Sequence, residues 1–138
     1  MDPIAQAAGT ALVQAVTTDA WQQVKQAVTG LWRRIHPGRA VQVGGDLDEL
    51  RAQVLRARAE GDAGTEQALE GIWQLRLQEL LRADPALAAD LRQVLDTVLT
   101  PALPAAGQSR IGIILMTGTS RDSSTFTQIG SQVNYGRP

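Results

Sequence analysis

The residues that could carry chemistry here are one histidine, several carboxylates, a glycine pair, three tryptophans and an amide-rich run near the C-terminus. His36 precedes Pro37 at a break between helical patterns. With no cysteine and no second histidine in the chain, it lacks the companions of a metal site or of a base–nucleophile pair. It is expected as a surface-loop histidine. Gly44 and Gly45 follow "VQV", but no Lys-Ser/Thr comes after them, so the pattern is not a phosphate loop. Asp48, Glu49, Glu66, Glu70, Asp90 and Asp96 fall among arginines and are expected on solvated helix faces. Trp21, Trp32 and Trp73 fall on apolar stripes and are expected in the core rather than around a ligand. No catalytic residue, metal ligand or cofactor site is expected, and the chain is not expected to be an enzyme.

The chemistry that is legible is that of strand assembly. Residues 123–136, "SSTFTQIGSQVNYG", carry no charge and no proline. Thr127, Ile129, Ser131, Val133 and Tyr135 alternate with Phe126, Gln128, Gly130, Gln132 and Asn134, the period of an extended strand. High β-propensity, low charge and stackable amides are the features that favour cross-β stacking. In a parallel in-register stack Gln128, Gln132 and Asn134 form amide ladders. Ile129 and Val133 interdigitate in a dry seam, and Gly130 permits close approach. A bare edge of this kind is normally blunted by charge. A passive extension and a local hairpin with the run at 110–118 are the competing readings; an isolated hairpin is marginal in water.

The elements that must present this segment read as helices. Ile4, Ala8, Leu12 and Ala15 or Val16 recur at helical spacing. Trp21, Val24, Val28, Leu31 and Ile35 line a second helix or a continuation of the first, stopped by His36-Pro37-Gly38. "GRAVQVGGD" is expected as a loop. Asp46 would cap a third helix bearing Leu47, Leu50, Val54 and Ala57. "EGDAG" breaks it, and Thr65 would cap a fourth carrying Leu69, Ile72, Trp73, Leu77, Leu80 and Leu81. Asp84-Pro85 would start a fifth, carrying Leu87, Leu91, Val94, Leu95, Val98 and Leu99. "TPALPAAGQS" would end it. Beyond Gln108 the composition turns to Gly, Ser, Thr, Ile and Val, and "RIGIILMTG" at 110–118 reads as a strand-like run. The expected fold class is all-α: a four- or five-helix bundle over 1–103, a linker at 104–110, and a β-prone tail at 111–138 with the assembly motif at 123–136.

"FTQIGSQVN" resembles the core of the RIP homotypic interaction motif and of related bacterial amyloid signalling sequences. Gln128, Ile129, Gly130 and Asn134 match it. Thr127 stands where the motif has an apolar residue, and three residues rather than two separate Gly130 from Asn134. "VQVGGD" at 41–46 matches the first positions equally well, but lies between helical patterns and is expected to be a loop. The helical part, with "AAGTALVQA", "DAWQQVKQAV" and "ADPALAADLRQVL", resembles actinobacterial effectors whose N-terminal domain is similar to fungal HeLo-type cell-death domains. The resemblance implies a receptor with a matching motif that templates the tail, after which the helical domain acts, at a membrane. Phe126, Gln128, Ile129, Gly130, Gln132, Val133, Asn134 and Tyr135 are then the self-assembly residues. Ile4, Ala8, Leu12 and Val16 are the candidate membrane-acting face.

Thirteen basic and fourteen acidic side chains nearly cancel, which argues against a nucleic-acid partner. The run Ile4–Val16 has no basic flank ahead of it and is shorter than the roughly 20 residues that span a bilayer. A cytoplasmic location is expected, with movement to the inner face of the plasma membrane on activation. The expected function is a non-enzymatic signalling effector in programmed cell death or immune defence. The alternatives are a homotypic adaptor that recruits proteins without membrane activity, and a helical domain with an inert tail.

Overall fold

A computed structural model describes residues 2–122, and every regular element among them is helical. Helix α1 spans Pro3–Ala15, α2 Trp21–Ile35, α3 Ala40–Ala59 and α4 Ala63–Ala83. Helix α5 spans Leu87–Val94 and runs through a π-helical turn, Leu95–Leu99, into Thr100–Ala102. Helix α6 spans Ala105–Asp122.

Helix α1 is the axis of the bundle. Asp2 caps it, its carboxylate accepting from the Ile4 amide at 2.9 Å, and Pro3 follows where a missing N–H costs nothing. Its far end is closed from outside: the Thr18 hydroxyl donates to the Ala15 carbonyl at 2.8 Å, and Arg51 of α3 donates to the Val16 carbonyl at 3.2 Å. These bonds satisfy carbonyls that a helix end leaves orphaned. Small residues let its neighbours close in on every side, and Ala5, Ala7, Ala8, Ala11, Leu12, Val13, Ala15 and Val16 are fully enclosed. Helix α4 packs along it most extensively, and α6 packs on it too.

The region expected to be a loop before Asp46 is helical. Helix α3 begins at Ala40, after a 3-10 turn at Pro37–Arg39. Val43 is buried with Leu47, Leu50, Val54 and Ala57, so the apolar stripe begins a turn earlier than Asp46 and carries the glycine pair with it. Each glycine costs about 1 kcal/mol against alanine in a helix, and burying Val43 offsets this by about 1.5–3 kcal/mol. The decoy "VQVGG" is thus the first turns of a helix. Asp46 does not cap that helix; its carboxylate accepts from Arg76 of α4 at 3.1 Å.

Other boundaries move by shorter steps. Asp62, not Thr65, caps α4, accepting from the Thr65 amide at 3.1 Å and the Thr65 hydroxyl at 2.6 Å. Gly61 ends the α3–α4 turn at φ 68°, the left-handed region glycine adopts without a Cβ penalty. Asp84 and Pro85 form a turn ahead of α5, with Ala86 as its cap residue. Ile72, placed on the α4 stripe by spacing, is half exposed at 52%.

The largest revision concerns residues 104–122. Leu103 is extended (φ −88°, ψ 152°), as the residue before Pro104 must be, and helix resumes at Ala105. Neither a linker at 104–110 nor a strand at 110–118 is present. Gly107, Ile111, Ile114 and Leu115 share one helical face, with Gly107 and Ile111 buried and the other two packed on the core. Tertiary packing of that face outweighs the β-propensity of "IGIILM". Upstream, Pro101 has no N–H to offer the Thr97 carbonyl. The ladder widens there, the Thr100 amide reaching back to the Leu95 carbonyl. This π turn lets the helix continue with Leu95 and Leu99 both buried.

Candidate functional site

Most carboxylates stand where charge patterning put them. Asp48 pairs with Lys25 at 2.8 Å, Asp90 with Arg34 at 2.7 Å, Glu66 with Arg58 at 3.1 Å and Asp96 with Arg92 at 3.0 Å. These are solvated pairs, each worth about 0–1 kcal/mol.

Glu70 is the exception. It is the one buried acidic residue among the described residues. Its spacing to Trp73 and Leu77 places it on the apolar stripe of α4 (i, i+3, i+7), the signal that sequence reading passed over. Arg110 of α6 grips it with two hydrogen bonds, Nη2 to Oε1 at 2.9 Å and Nη1 to Oε2 at 3.3 Å. The Thr10 hydroxyl of α1 donates to the same Oε1 at 3.4 Å. Gln74 completes the chain: its amide donates to Thr10 Oγ1 at 3.0 Å and to the Gln6 carbonyl at 3.2 Å. A polar seam joining α1, α4 and α6 therefore runs from buried Thr10 and Glu70 out to the exposed Gln6 and Arg110 at the edge of the core.

The tryptophans lie in the core, as their spacing predicts: Trp21, Trp32 and Trp73 are all buried. Trp32 and Trp73 meet edge to face at 6.2 Å. The Arg76 guanidinium lies 4.3 Å from the Trp73 ring centre and 5.7 Å from that of Trp32. His36 borders a cleft of about 280 Å³ beside this group, with Arg39, Gln42 and Glu79 on its walls. Arg76 is already held by Asp46 and by the rings, so the arrangement reads as a clamp of α3 and α4 on α2.

The candidate membrane-acting face sits inside the bundle. Ala8, Leu12 and Val16 are fully enclosed and Ile4 is partly buried against the same core. Among the described residues no helix is long and apolar enough to cross a membrane, and no cluster of potential metal ligands occurs. The assembly residues Phe126, Gln128, Ile129, Gly130, Gln132, Val133, Asn134 and Tyr135 lie outside the described residues. No protein family, curated protein or solved structure matches the chain.

Proposed function

We propose that the protein is a non-enzymatic signalling effector. Residues 123–136 assemble as a cross-β stack, templated by the matching motif of a receptor, and assembly activates the helical bundle in membrane-directed cell death or immune defence. The observation that supports this best is an adjacency. The uncharged, alternating segment follows α6 directly, and α6 packs on α1, the most enclosed apolar helix of the fold. A pull on the tail therefore acts on a helix that packs directly against α1.

Two measurements test the reading. A peptide of residues 123–138 is expected to bind thioflavin and to diffract with a spacing of about 4.8 Å. A soluble peptide that does neither removes the signalling function. Full-length protein seeded with those fibrils is expected to leak anionic liposomes, whereas unseeded protein does not. The complete burial of Ala8, Leu12 and Val16 favours a second reading, an adaptor whose bundle stays closed and recruits other proteins. Fibrils without leakage select it.

A further inference from the structure

Glu70 of α4 lies where α1 and α6 meet it, bonded by Thr10 from one and Arg110 from the other. We propose that the Arg110–Glu70 pair is an autoinhibitory latch: Arg110, carried on the helix that leads to the tail, neutralises a carboxylate that would otherwise force α1 and α4 apart. The inference rests on the signalling reading for its trigger, but the latch itself is a property of the folded chain.

The two partners are unequally placed. The Glu70 side chain is 8% exposed, that of Arg110 48%. If Arg110 is drawn off Glu70 while Ile111 still covers the core, the guanidinium passes into water at little cost. The carboxylate stays behind beneath α6, with Thr10 Oγ1 as its remaining side-chain donor. A buried charge stripped of its partner is strongly destabilising, and the strain falls on the α1–α4 contact where Thr10 and Gln74 also bond. Relief comes from admitting water, which means loosening α1. The contacts flanking Arg110 make α6 a fitting carrier. Ile111, next in the chain, is buried. Gly107, one turn earlier, lies so close to α1 that a Cβ there would sit 2.5 Å from Gln14 Oε1. Arg110 therefore keeps its bidentate geometry only while α6 is seated on α1.

The test is hydrogen exchange on the full chain, comparing amides 7–13 of α1 with amides 47–54 of α3. Arg110→Gln is expected to speed α1 exchange about tenfold, the half-exposed arginine moderating the effect of an orphaned buried charge, while α3 changes little. Arg110→Lys, which restores a point charge, should recover part of the protection. The decisive variant is the double substitution Arg110→Gln/Glu70→Gln. A latch requires it to regain most α1 protection, because no buried charge remains. A pair that merely contributed contacts would leave it as labile as Arg110→Gln or more so. Unchanged α1 exchange in Arg110→Gln, equal acceleration of α1 and α3, or no recovery in the double variant each overturns the latch.

Fibrils of the 123–138 peptide supply the second arm. Added to the full chain, they should open α1 in the wild type and open it less in Glu70→Gln. Equal opening overturns the latch. A peptide that forms no fibrils overturns the signalling reading, while the exchange pattern of the variants still decides whether Arg110 holds α1 closed.

Discussion

Gly9 of α1 and Gln74 of α4 stand backbone against backbone: a Cβ on Gly9 would come within 2.8 Å of the Gln74 nitrogen and 2.9 Å of its Cα. Such a contact cannot be relieved by turning a side chain. It sets how closely the two helices cross, and with that the distances at which Gln74, Thr10 and Glu70 meet.

Gly9→Ala is therefore expected to destabilise the bundle by about 1–3 kcal/mol, the usual cost of overpacking, despite the better helix propensity of alanine. Gly45 in α3 has nothing within 4 Å of the corresponding position. Gly45→Ala should stabilise by about 0.5–1 kcal/mol. Chemical denaturation of the two variants beside wild type checks both signs.

A second expectation concerns where the folded unit ends. A chain cut after residue 103 loses Ile111 from the core, worth about 1.5–3 kcal/mol by itself, and uncovers α1 along the line of α6. A chain cut after residue 122 keeps both. The 1–122 fragment should melt with the cooperativity of the full chain, and the 1–103 fragment should melt markedly lower or lose its sharp transition. Equal melting of the two fragments would show α6 to be dispensable to the fold.

The cap of α4 titrates. The hydrogen bond from the Thr65 hydroxyl, then that from the Thr65 amide, hold the Asp62 carboxyl below its ordinary value. Because the folded value is depressed, the contribution is complete above the unfolded value and is lost as pH falls through the folded one. Asp62→Ala should consequently be less stable than wild type at pH 7, and the gap should narrow as the pH is taken below about 4, where even an unperturbed aspartate protonates. Melting curves of the two proteins between pH 7 and pH 2.5 test this. A gap that stays constant throughout would mean that the carboxylate is not what caps the helix.

How much of this was legible in the sequence depended on the kind of signal. Stripes with several large residues were readable: Leu47, Leu50, Val54 and Ala57 are buried as a set, as are Leu87, Leu91, Leu95 and Leu99. Ends were less so, because glycine and proline act through context. The pair at 44–45 suggested a loop, and only Val43, one turn ahead of Leu47, marked it as helix. Residues 111–116 are the sharpest case. A short, largely apolar run has no clear period of its own, so what it becomes is decided by the surface it meets, and here that surface is α1. Glu70 shows the opposite case: Trp73 and Leu77 mark its stripe, but a carboxylate among arginines reads as solvated unless that spacing is weighed, and only the fold brings Arg110 of α6 onto it.

The last prediction lies in residues 123–136. In a cross-β stack every substitution recurs at about 4.8 Å along the fibril, so a local defect is repeated in each layer. Ile129→Asp would place a column of unpaired charges in a dry seam, where a buried charge without a partner is costly. Gln128→Pro would delete one ladder donor per chain and clash with an extended neighbour. Each is expected to abolish fibril formation by the tail and its co-localisation with a receptor motif. The melting temperature of the bundle should stay within about 2 °C of wild type, as for substitutions that touch no packed core. Val41→Asp, in the decoy "VQVGG", alters a side chain 87% exposed on α3 and should leave assembly untouched. Fibrils of Ile129→Asp or Gln128→Pro growing as fast as wild type would place the assembling core elsewhere in the chain. If instead Val41→Asp slowed them, the first turns of α3 would belong to that core, and assembly would have to begin by unfolding a helix whose next residues, Val43 and Leu47, are buried.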